Sequence, residues 1–267
     1  MEKGEPHIVV KDLTLAYGSN VILHGLTFTI NRGDIFIIMG ASGGGKSTVL
    51  RSMIGLLEPT KGEVIYDGMN LWAAKPEEQK SIMRKFGILY QSSALWSSLT
   101  LAENVALPLQ QYTDLSQELI EEVVSLKLSL VGLAGFEDYY PSEISGGMKK
   151  RAGLARAMAL DPETLFFDEP SAGLDPVSAH LLDELIIQLR NSLGATVVVV
   201  THELSSIFAI GSNSVFLDVD TKTMIAAGDP RKLLLESKEP KVIDFLTRGK
   251  GRTTNNQLDY DDRSKQQ

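Results

Sequence analysis

Residues 40–47, Gly-Ala-Ser-Gly-Gly-Gly-Lys-Ser, match the pattern G-x-x-x-x-G-K-[ST] of a phosphate-binding loop. The apolar run at residues 35–39 before them predicts a buried strand, and residues 48–54 after them predict the start of a helix. Glycines let backbone N–H groups approach phosphate oxygens, and the helix N-terminus adds partial positive charge. A chance glycine-rich turn does not explain this context. The segment predicts a nucleoside triphosphate site, in which Lys46 reaches the β- and γ-phosphates and the Ser47 hydroxyl binds Mg²⁺.

An acidic pair, Asp168 and Glu169, follows a second apolar run at residues 165–167. At the end of a buried strand, the Asp168 carboxylate would lie beside the magnesium ion without facing water on all sides. Glu169 is then a candidate general base that polarises the attacking water. The alternative, two solvated loop acids, is disfavoured by the apolar strand in front of them.

A second anion-binding segment, Ser145-Gly146-Gly147, precedes a basic helix predicted over residues 149–160. It again combines backbone amides with a helix dipole. One nucleotide does not need two such sites on the same chain. The economical explanation is that residues 145–147 complete the binding site of a nucleotide that is bound to another copy of the chain.

With Ile144 before it and Met148 after it, this segment resembles the L-S-G-G-Q signature of the ABC transporter ATPase family. Ile for Leu is conservative, whereas Met148 lacks the polar side chain of the glutamine. The resemblance covers about residues 8–248 as a single domain. It implies an α/β, P-loop ATPase fold with a mainly parallel core sheet, an N-terminal antiparallel β subdomain and an inserted helical subdomain at about residues 92–160.

The resemblance also gives meaning to residues that would be uninformative alone. Tyr17 falls where the family stacks an aromatic ring on adenine, and Gln91 matches the Q-loop glutamine that contacts Mg²⁺ and water. His202 matches the switch histidine that contacts the γ-phosphate. Residues 171–175 resemble the D-loop, which crosses the dimer interface. The remaining histidines are interpreted as structural: His7, His24 and His180.

These matches imply ATP and Mg²⁺ as ligands and a head-to-tail homodimer. The residues expected to take part in catalysis are Lys46, Gln91, Glu169 and His202. The residues expected to bind Mg²⁺ are Ser47, Gln91 and Asp168. The residues expected to bind the nucleotide are Tyr17, Gly40, Ala41, Ser42, Gly43, Gly44, Gly45, Lys46, Ser47, Thr48, Ser145, Gly146, Gly147 and Asp175.

Composition narrows the function classes. The chain is 43% hydrophobic, which allows a sizeable core, and it has no cysteine, which excludes disulfides and thiolate zinc sites. Its net charge of -8 argues against a broad nucleic-acid-binding surface. Residues 1–6 lack the apolar core of a secretory signal, and no apolar run approaches the roughly 18 residues of a membrane span. A soluble protein is expected, which needs a partner to act at a membrane.

Strand and helix patterns alternate along the chain, which favours an α/β fold. Short strands are predicted at residues 8–10, 13–15, 26–30, 63–66, 88–91 and 196–200, with a hairpin at 215–217 and 224–226. Two helices each carry an apolar face, formed in the first by Leu119, Ile120, Val123, Val124, Leu126 and Leu130, and in the second by Leu181, Leu182, Leu185, Ile186, Leu189 and Leu193. Two short helices end near residue 248. The polar residues 249–267 predict a flexible tail; a tail that reaches the other protomer is the alternative.

Three further segments resemble the ATPase of Mce-type lipid transporters, of which the bacterial Mla system is the best-known: residues 91–96, 103–109 and 140–148. This implies phospholipid movement between inner and outer membranes, at the cytoplasmic face of the inner membrane. The implied partners are an integral membrane permease, a periplasmic Mce-domain subunit and a small regulatory subunit. Leu95 and Trp96 are expected to meet the permease; their burial within the helical subdomain is the alternative.

Three other functions are alternatives. An importer ATPase for a small polar solute shares every core motif and remains the alternative within transporters. A soluble ABC ATPase acting on nucleic acid is disfavoured because the sequence has no coiled-coil insertion, no zinc cysteines and no second cassette. No nucleic-acid partner is therefore expected. A nucleotide-gated interaction subunit without catalysis is disfavoured by Glu169 and His202.

Overall fold

The computed structural model describes residues 4–249 and 251. In this part the strands are, in chain order, β1 (Pro6–Tyr17), β2 (Asn20–Asn31), β3 (Ile35–Gly40), β4 (Lys61–Tyr66), β5 (Met69–Asn70), β6 (Phe86–Leu89), β7 (Thr164–Asp168), β8 (Thr196–Val200), β9 (Asn213–Asp218) and β10 (Thr223–Ala227). The α-helices are α1 (Lys46–Met53), α2 (Pro76–Met83), α3 (Leu101–Tyr112), α4 (Gln117–Leu130), α5 (Gly146–Ala157), α6 (Pro176–Leu193), α7 (Leu204–Ile210), α8 (Pro230–Glu236) and α9 (Pro240–Thr247).

The strands form two sheets. One is antiparallel, in the order β2-β1-β4-β5. The other has the order β10-β9-β3-β8-β7-β6 and is parallel except for the β9–β10 hairpin at its edge. The predicted fold class, with a mainly parallel core sheet and an N-terminal antiparallel sheet, is confirmed. The predicted tail, apart from Gly249 and Gly251, lies outside the described residues.

Strand β3 lies at the centre of the core and is buried on both faces. Ile35, Ile37 and Met39 point into a cluster shared with the helical segment, whereas Phe36 and Ile38 point into a cluster shared with the antiparallel sheet. This two-residue alternation explains why the strand reads as a continuous apolar run in the sequence. The loop that follows β3 is therefore anchored from both layers.

The first strand differs from the prediction of two short strands. Residues 8–10 and 13–15 belong to one strand, β1, whose pairing register shifts between Val10 and Leu13. Asp12 has a φ of 47°, and a Cβ on the facing Gly62 would lie 2.3 Å from the Asp12 carbonyl oxygen. The polar interruption is thus a β-bulge, which needs glycine opposite it, rather than the end of a strand.

The prediction of a single apolar face on α4 is wrong in part. Ile120, Val124 and Leu128 are buried, but three of the predicted leucines are exposed by 43–56%: Leu119, Leu126 and Leu130. Apolar residues occur on two sides of this helix, and periodicity alone does not say which side meets the core. Leu181, in the second turn of α6, and Leu193, its last residue, are likewise exposed.

His7 has the structural role expected for it. It is 3% exposed, and its ring nitrogens contact the Asp67 carboxylate at 2.9 Å and the Thr164 hydroxyl at 2.8 Å. His7 thereby connects β1 of the antiparallel sheet to β7 of the mainly parallel sheet. Among the described residues, no helix has both the length and the apolar character needed to cross a bilayer.

A buried acid on α6 predicts a pH-dependent stability. Asp183 is 5% exposed and its Oδ1 has no hydrogen-bond partner, and burial raises its pKa to about 6. Because the folded pKa lies above the ordinary value of 3.8, the folded state binds this proton more tightly than the unfolded chain does. The stability that it contributes is complete below about pH 4 and is lost as the pH rises through about 6.

We therefore expect Asp183→Asn to raise the free energy of unfolding at pH 7.5 by roughly 1–3 kcal/mol, and to give little gain at pH 4. Urea unfolding at both pH values measures this. Glu184→Gln, at an exposed position on the same helix, is the control and should change neither value appreciably. Equal stability of Asp183→Asn and the unmodified chain at pH 7.5 would contradict the expectation.

Candidate nucleotide-binding site

The loop between β3 and α1 requires glycine at two positions. Gly40 has a φ of 146°, and a Cβ there would lie 2.3 Å from the Leu217 carbonyl oxygen. Gly45 has a φ of 78°, and a Cβ there would lie 2.7 Å from Leu23. The loop residues Ala41, Ser42 and Gly43 are exposed, Gly44 is buried, and Thr48 follows in the first turn of α1. The predicted phosphate loop is thus a tight backbone turn with its outer residues accessible.

Lys46 lies folded back over this loop. Its side chain is buried, with 6% exposure, and Nζ donates to the carbonyl oxygens of Gly40 at 3.1 Å and Ala41 at 3.0 Å. Burial lowers the pKa of Lys46, while the charges of Glu169 and Asp168 oppose this fall. The ammonium is therefore held within electrostatic reach of both acids, on weak neutral acceptors that a phosphate could replace.

Ser47 and Asp168 are in direct contact. The Ser47 hydroxyl donates to Asp168 Oδ1 at 2.9 Å, which joins the start of α1 to the end of β7. A hydroxyl and a carboxylate side by side supply the hard oxygen ligands that Mg²⁺ prefers. The residues present fit a magnesium ion, which Ser47 and Asp168 would hold.

Glu169 and His202 form the second pair of the cluster. His202 Nδ1 lies 2.8 Å from Glu169 Oε1, while Oε2 is buried and makes no hydrogen bond. The Glu169 side chain is 12% exposed and that of His202 is 44% exposed. His202 thus orients Oε1 of the Glu169 carboxylate. Oε2 is buried and is left as a free hydrogen-bond acceptor.

The main chain of Gln91 lies at the same edge of the parallel sheet as Asp168 and Glu169. It follows β6 by two residues, its side chain is exposed, and its carbonyl oxygen accepts a hydrogen bond from Lys150 Nζ. A cavity of about 500 Å³ separates it from the D-loop and is lined by Tyr90, Gln91, Ser92, Ala172 and Gly173. In the segment that follows, the two apolar side chains differ in burial. Trp96 is 62% exposed, as expected, whereas Leu95 packs against the core.

Tyr17 is the last residue of β1 and lies beside α1. Its ring is 47% exposed, and its hydroxyl accepts from Arg51 at 3.3 Å. Arg51 is on the helix that carries Lys46 and Ser47. The ring therefore lies beside the helix that follows the loop, and its accessibility allows stacking on a planar group.

The remaining predicted residues lie at two other helix N-termini. Ser145 caps α5 by accepting from the Met148 N–H at 3.2 Å, with Gly146 exposed in the first turn. Asp175 caps α6 by accepting from two backbone N–H groups at 3.0 Å and from the Ser178 hydroxyl, and this hydroxyl contact is the main cause that lowers its pKa. A Cβ on Gly147 would lie 3.3 Å from Ser178, so the two helix starts are adjacent.

Described contacts therefore bring together Lys46, Ser47, Asp168, Glu169 and His202, whereas residues 145–147 and Asp175 form a separate surface. Sequence reasoning missed Lys150, whose ammonium reaches the main chain of both Gln91 and Glu169. The sequence carries no signal for it, because Lys149, Lys150 and Arg151 are consecutive basic residues and only the fold shows that Lys150 is buried.

Known proteins share these features. Residues 23–172 match the family model described as ABC transporter. The chain is similar to the probable ribonucleotide transport ATP-binding protein mkl of Mycobacterium tuberculosis, with 42% identity over 90% of this chain and 66% of the relative. It therefore spans about two-thirds of that protein's length. It is also similar to the intermembrane phospholipid transport system ATP-binding protein MlaF of Haemophilus influenzae, with 39% identity over 90% of this chain and 89% of the relative.

Among solved structures, the chain is similar to a dimeric, post-hydrolysis state of the ATP-binding cassette MJ0796 bound to ADP and Pi. The two are 31% identical with a TM-score of 0.74, over 82% of this chain and 97% of the other. The family match covers more than half of the chain, and the MlaF match extends over most of both proteins. The chain therefore belongs to the ABC transporter family, in the class of its ATPase cassettes.

Proposed function

We propose that this chain hydrolyses ATP as a subunit of an ABC transporter and that the energy moves phospholipid between the inner and outer membranes. The observation that carries the hydrolytic part is the convergence of Lys46, the Ser47–Asp168 pair and the Glu169–His202 pair at one sheet edge. The lipid part rests on the similarity to MlaF, which extends over 89% of that protein. The mkl match is of similar identity but leaves a third of that relative unmatched.

The residues of the cluster have distinct chemical tasks in this proposal. Lys46 exchanges its two carbonyl partners for phosphate oxygens, which are stronger acceptors for an ammonium. Ser47 and Asp168 would hold Mg²⁺, which would supply positive charge beside the phosphates. The free Oε2 of Glu169 accepts the hydrogen bond of the attacking water, and His202 fixes the orientation of the carboxylate through Oε1. Gln91, exposed at the rim, would contribute its side-chain amide to holding the ion and the water.

The nucleotide-binding site is completed by a second copy of the chain. The first N–H groups of α5, in Gly146 and Gly147, have no partner within the helix and can bind an anion. Facing chains related by a two-fold axis would each place residues 145–147 and Asp175 opposite the phosphate loop of the other. The similar cassette MJ0796 is a dimer bound to ADP and Pi, which supports this arrangement. Closure on ATP and opening after hydrolysis would then drive the transporter.

A groove next to the segment after Gln91 is the proposed docking surface for a membrane permease. A cavity of about 560 Å³ is lined by residues from α2, β6, α3 and α5, among them Ile88, Tyr112 and Arg156. Arg156 also donates to the carbonyl oxygens of Ser93 and Ala94, so the groove adjoins the segment that leads to the exposed Trp96. Attachment through this groove would place the chain at the cytoplasmic face of the inner membrane, with an Mce-domain subunit and a small regulatory subunit in the complex.

Replacing Glu169 by Gln tests the general-base role. We expect ATP binding to persist and turnover to fall on the order of 10²- to 10⁴-fold, because the amide cannot accept the proton. Phosphate release and equilibrium nucleotide binding measure the two effects separately. Glu236→Gln, at an exposed position on α8, is the control. Turnover near that of the control would remove Glu169 from this role.

Replacing Trp96 by Asp tests the docking surface. We expect partner chains to be lost on purification while nucleotide binding is kept, since the exposed ring makes few contacts within the chain. Leu235→Asp is the matched control, because Leu235 is 64% exposed on α8, a different element. Co-purification that is retained in full by Trp96→Asp would place the permease contact elsewhere.

The transported substrate is tested by purifying the tagged chain from its native membranes and identifying the proteins and lipids that accompany it. A multi-span permease with a periplasmic Mce-domain protein and phospholipid is the expected result. A permease with a solute-binding protein would keep the ATPase role and replace the lipid by a small polar solute, the alternative suggested by the name of mkl. Recovery with nucleic acid and no membrane protein would overturn the transport role.

A further inference from the structure

A buried lysine lies behind the catalytic cluster. Lys150 is 5% exposed on α5, the helix that begins at the signature residues 145–147. Its Nζ donates to the carbonyl oxygen of Gln91 and lies 3.5 Å from that of Glu169. No ion pair among the described side chains includes it. A buried ammonium bound to two main-chain carbonyls is unusual, because a carboxylate would compensate the loss of water more strongly.

Lys127 shows the ordinary solution in the same helical segment. It is 4% exposed on α4, and its ammonium is paired with the Asp161 carboxylate. Lys150 instead reaches the chain just beyond the ends of β6 and β7, where Gln91 and Glu169 lie. Burial lowers the pKa of Lys150 and the charges of Glu169 and Asp168 oppose this, so the ammonium is within electrostatic reach of both acids.

The backbone of Glu169 needs such support. Its φ of 49° lies in the left-handed region, which a residue with a side chain occupies only when its surroundings hold it there. The Glu169 N–H donates to Val200 O at 2.8 Å, and its carbonyl oxygen accepts from the Ala172 N–H at 3.2 Å. Lys150 is the side chain that adds to these two main-chain contacts.

We propose that Lys150 is a positioning residue for ATP hydrolysis, whose ammonium holds the main chain of Glu169 and Gln91 against the helix that carries the signature residues. The inference rests on the proposed general-base role of Glu169. The Lys150 ammonium does not touch the nucleotide; it keeps the Glu169 carboxylate and the Q-loop at fixed places relative to α5. Only five residues along α5 separate it from Ser145, about 7 Å at the rise of an α-helix.

The test compares Lys150→Met and Lys150→Arg with Lys127→Met in the full chain. We expect Lys150→Met to lower kcat for ATP on the order of 10- to 100-fold, because small misplacements of a catalytic group have effects of this size. KM for ATP should stay within about threefold, since the phosphate loop is unchanged. Lys150→Arg keeps the charge and the donors and should recover most of kcat. Lys127→Met removes a buried ammonium that does not contact the catalytic edge and should leave kcat unchanged.

A double variant shows whether Lys150 acts through Glu169. If it does, Lys150→Met should slow the Glu169→Gln variant by clearly less than it slows the unmodified chain, because one of the two groups that it positions is already lost. Additive losses would overturn the inference, as would a kcat of Lys150→Met equal to that of Lys127→Met. Failure of the general-base role is recognised separately, by normal turnover of Glu169→Gln by itself, and the inference would then fail with it.

Amide hydrogen exchange gives a readout that does not depend on turnover. Without nucleotide, Lys150→Met should speed exchange in peptides that cover residues 88–93 and 167–173, and Lys127→Met should not. Equal exchange of these peptides in the two variants would contradict a local positioning role.

Discussion

The parallel register of three central strands is the constraint on which the site depends. Ile38 of β3 pairs with Val200 of β8, and Val200 pairs with Asp168 of β7. Because parallel strands end at the same edge, this register brings the phosphate loop, Glu169 and His202 together although they are far apart in sequence. The register in turn depends on strands buried on both faces, since a slip would need the cores on both sides of the sheet to repack.

Charge balance at the catalytic edge of the sheet is the second organising feature. Two buried ammonium groups, from Lys46 and Lys150, flank the carboxylates of Asp168 and Glu169, and each is bound to main-chain carbonyls rather than to an acid. The acids are occupied instead by a hydroxyl and by an imidazole. No strong ion pair therefore has to be broken before a phosphate and a metal ion enter, which keeps the cost of binding low.

Features of the fold and site could be predicted where a local sequence pattern lies at the end of a strand. They could not be predicted where packing between elements determines which side chains are buried. The phosphate loop, the acidic pair and the alternation of strands and helices are local features, and they predicted the fold class. The bulge at Asp12, the exposed leucines of α4 and the burial of Asp183 depend on which surface meets a neighbour, which a single helix or strand pattern does not contain. Lys150 was missed for the same reason: in a run of three basic residues, only the fold distinguishes the one that turns inward.

Helix α5 connects the three surfaces to which functions are proposed. Its N-terminus presents the signature residues, Lys150 in its second turn reaches the catalytic edge, and Arg156 in its last turn binds the chain beside the proposed permease groove. A helix of this length moves as a rigid unit, so a displacement imposed at one end is felt at the other two contacts. Because Lys150 and Arg156 both bind main-chain carbonyls of residues 91–94, a shift of α5 also moves the segment that follows Gln91. A membrane partner that pushes on the groove would thereby act on the backbone of Glu169 without contacting the nucleotide.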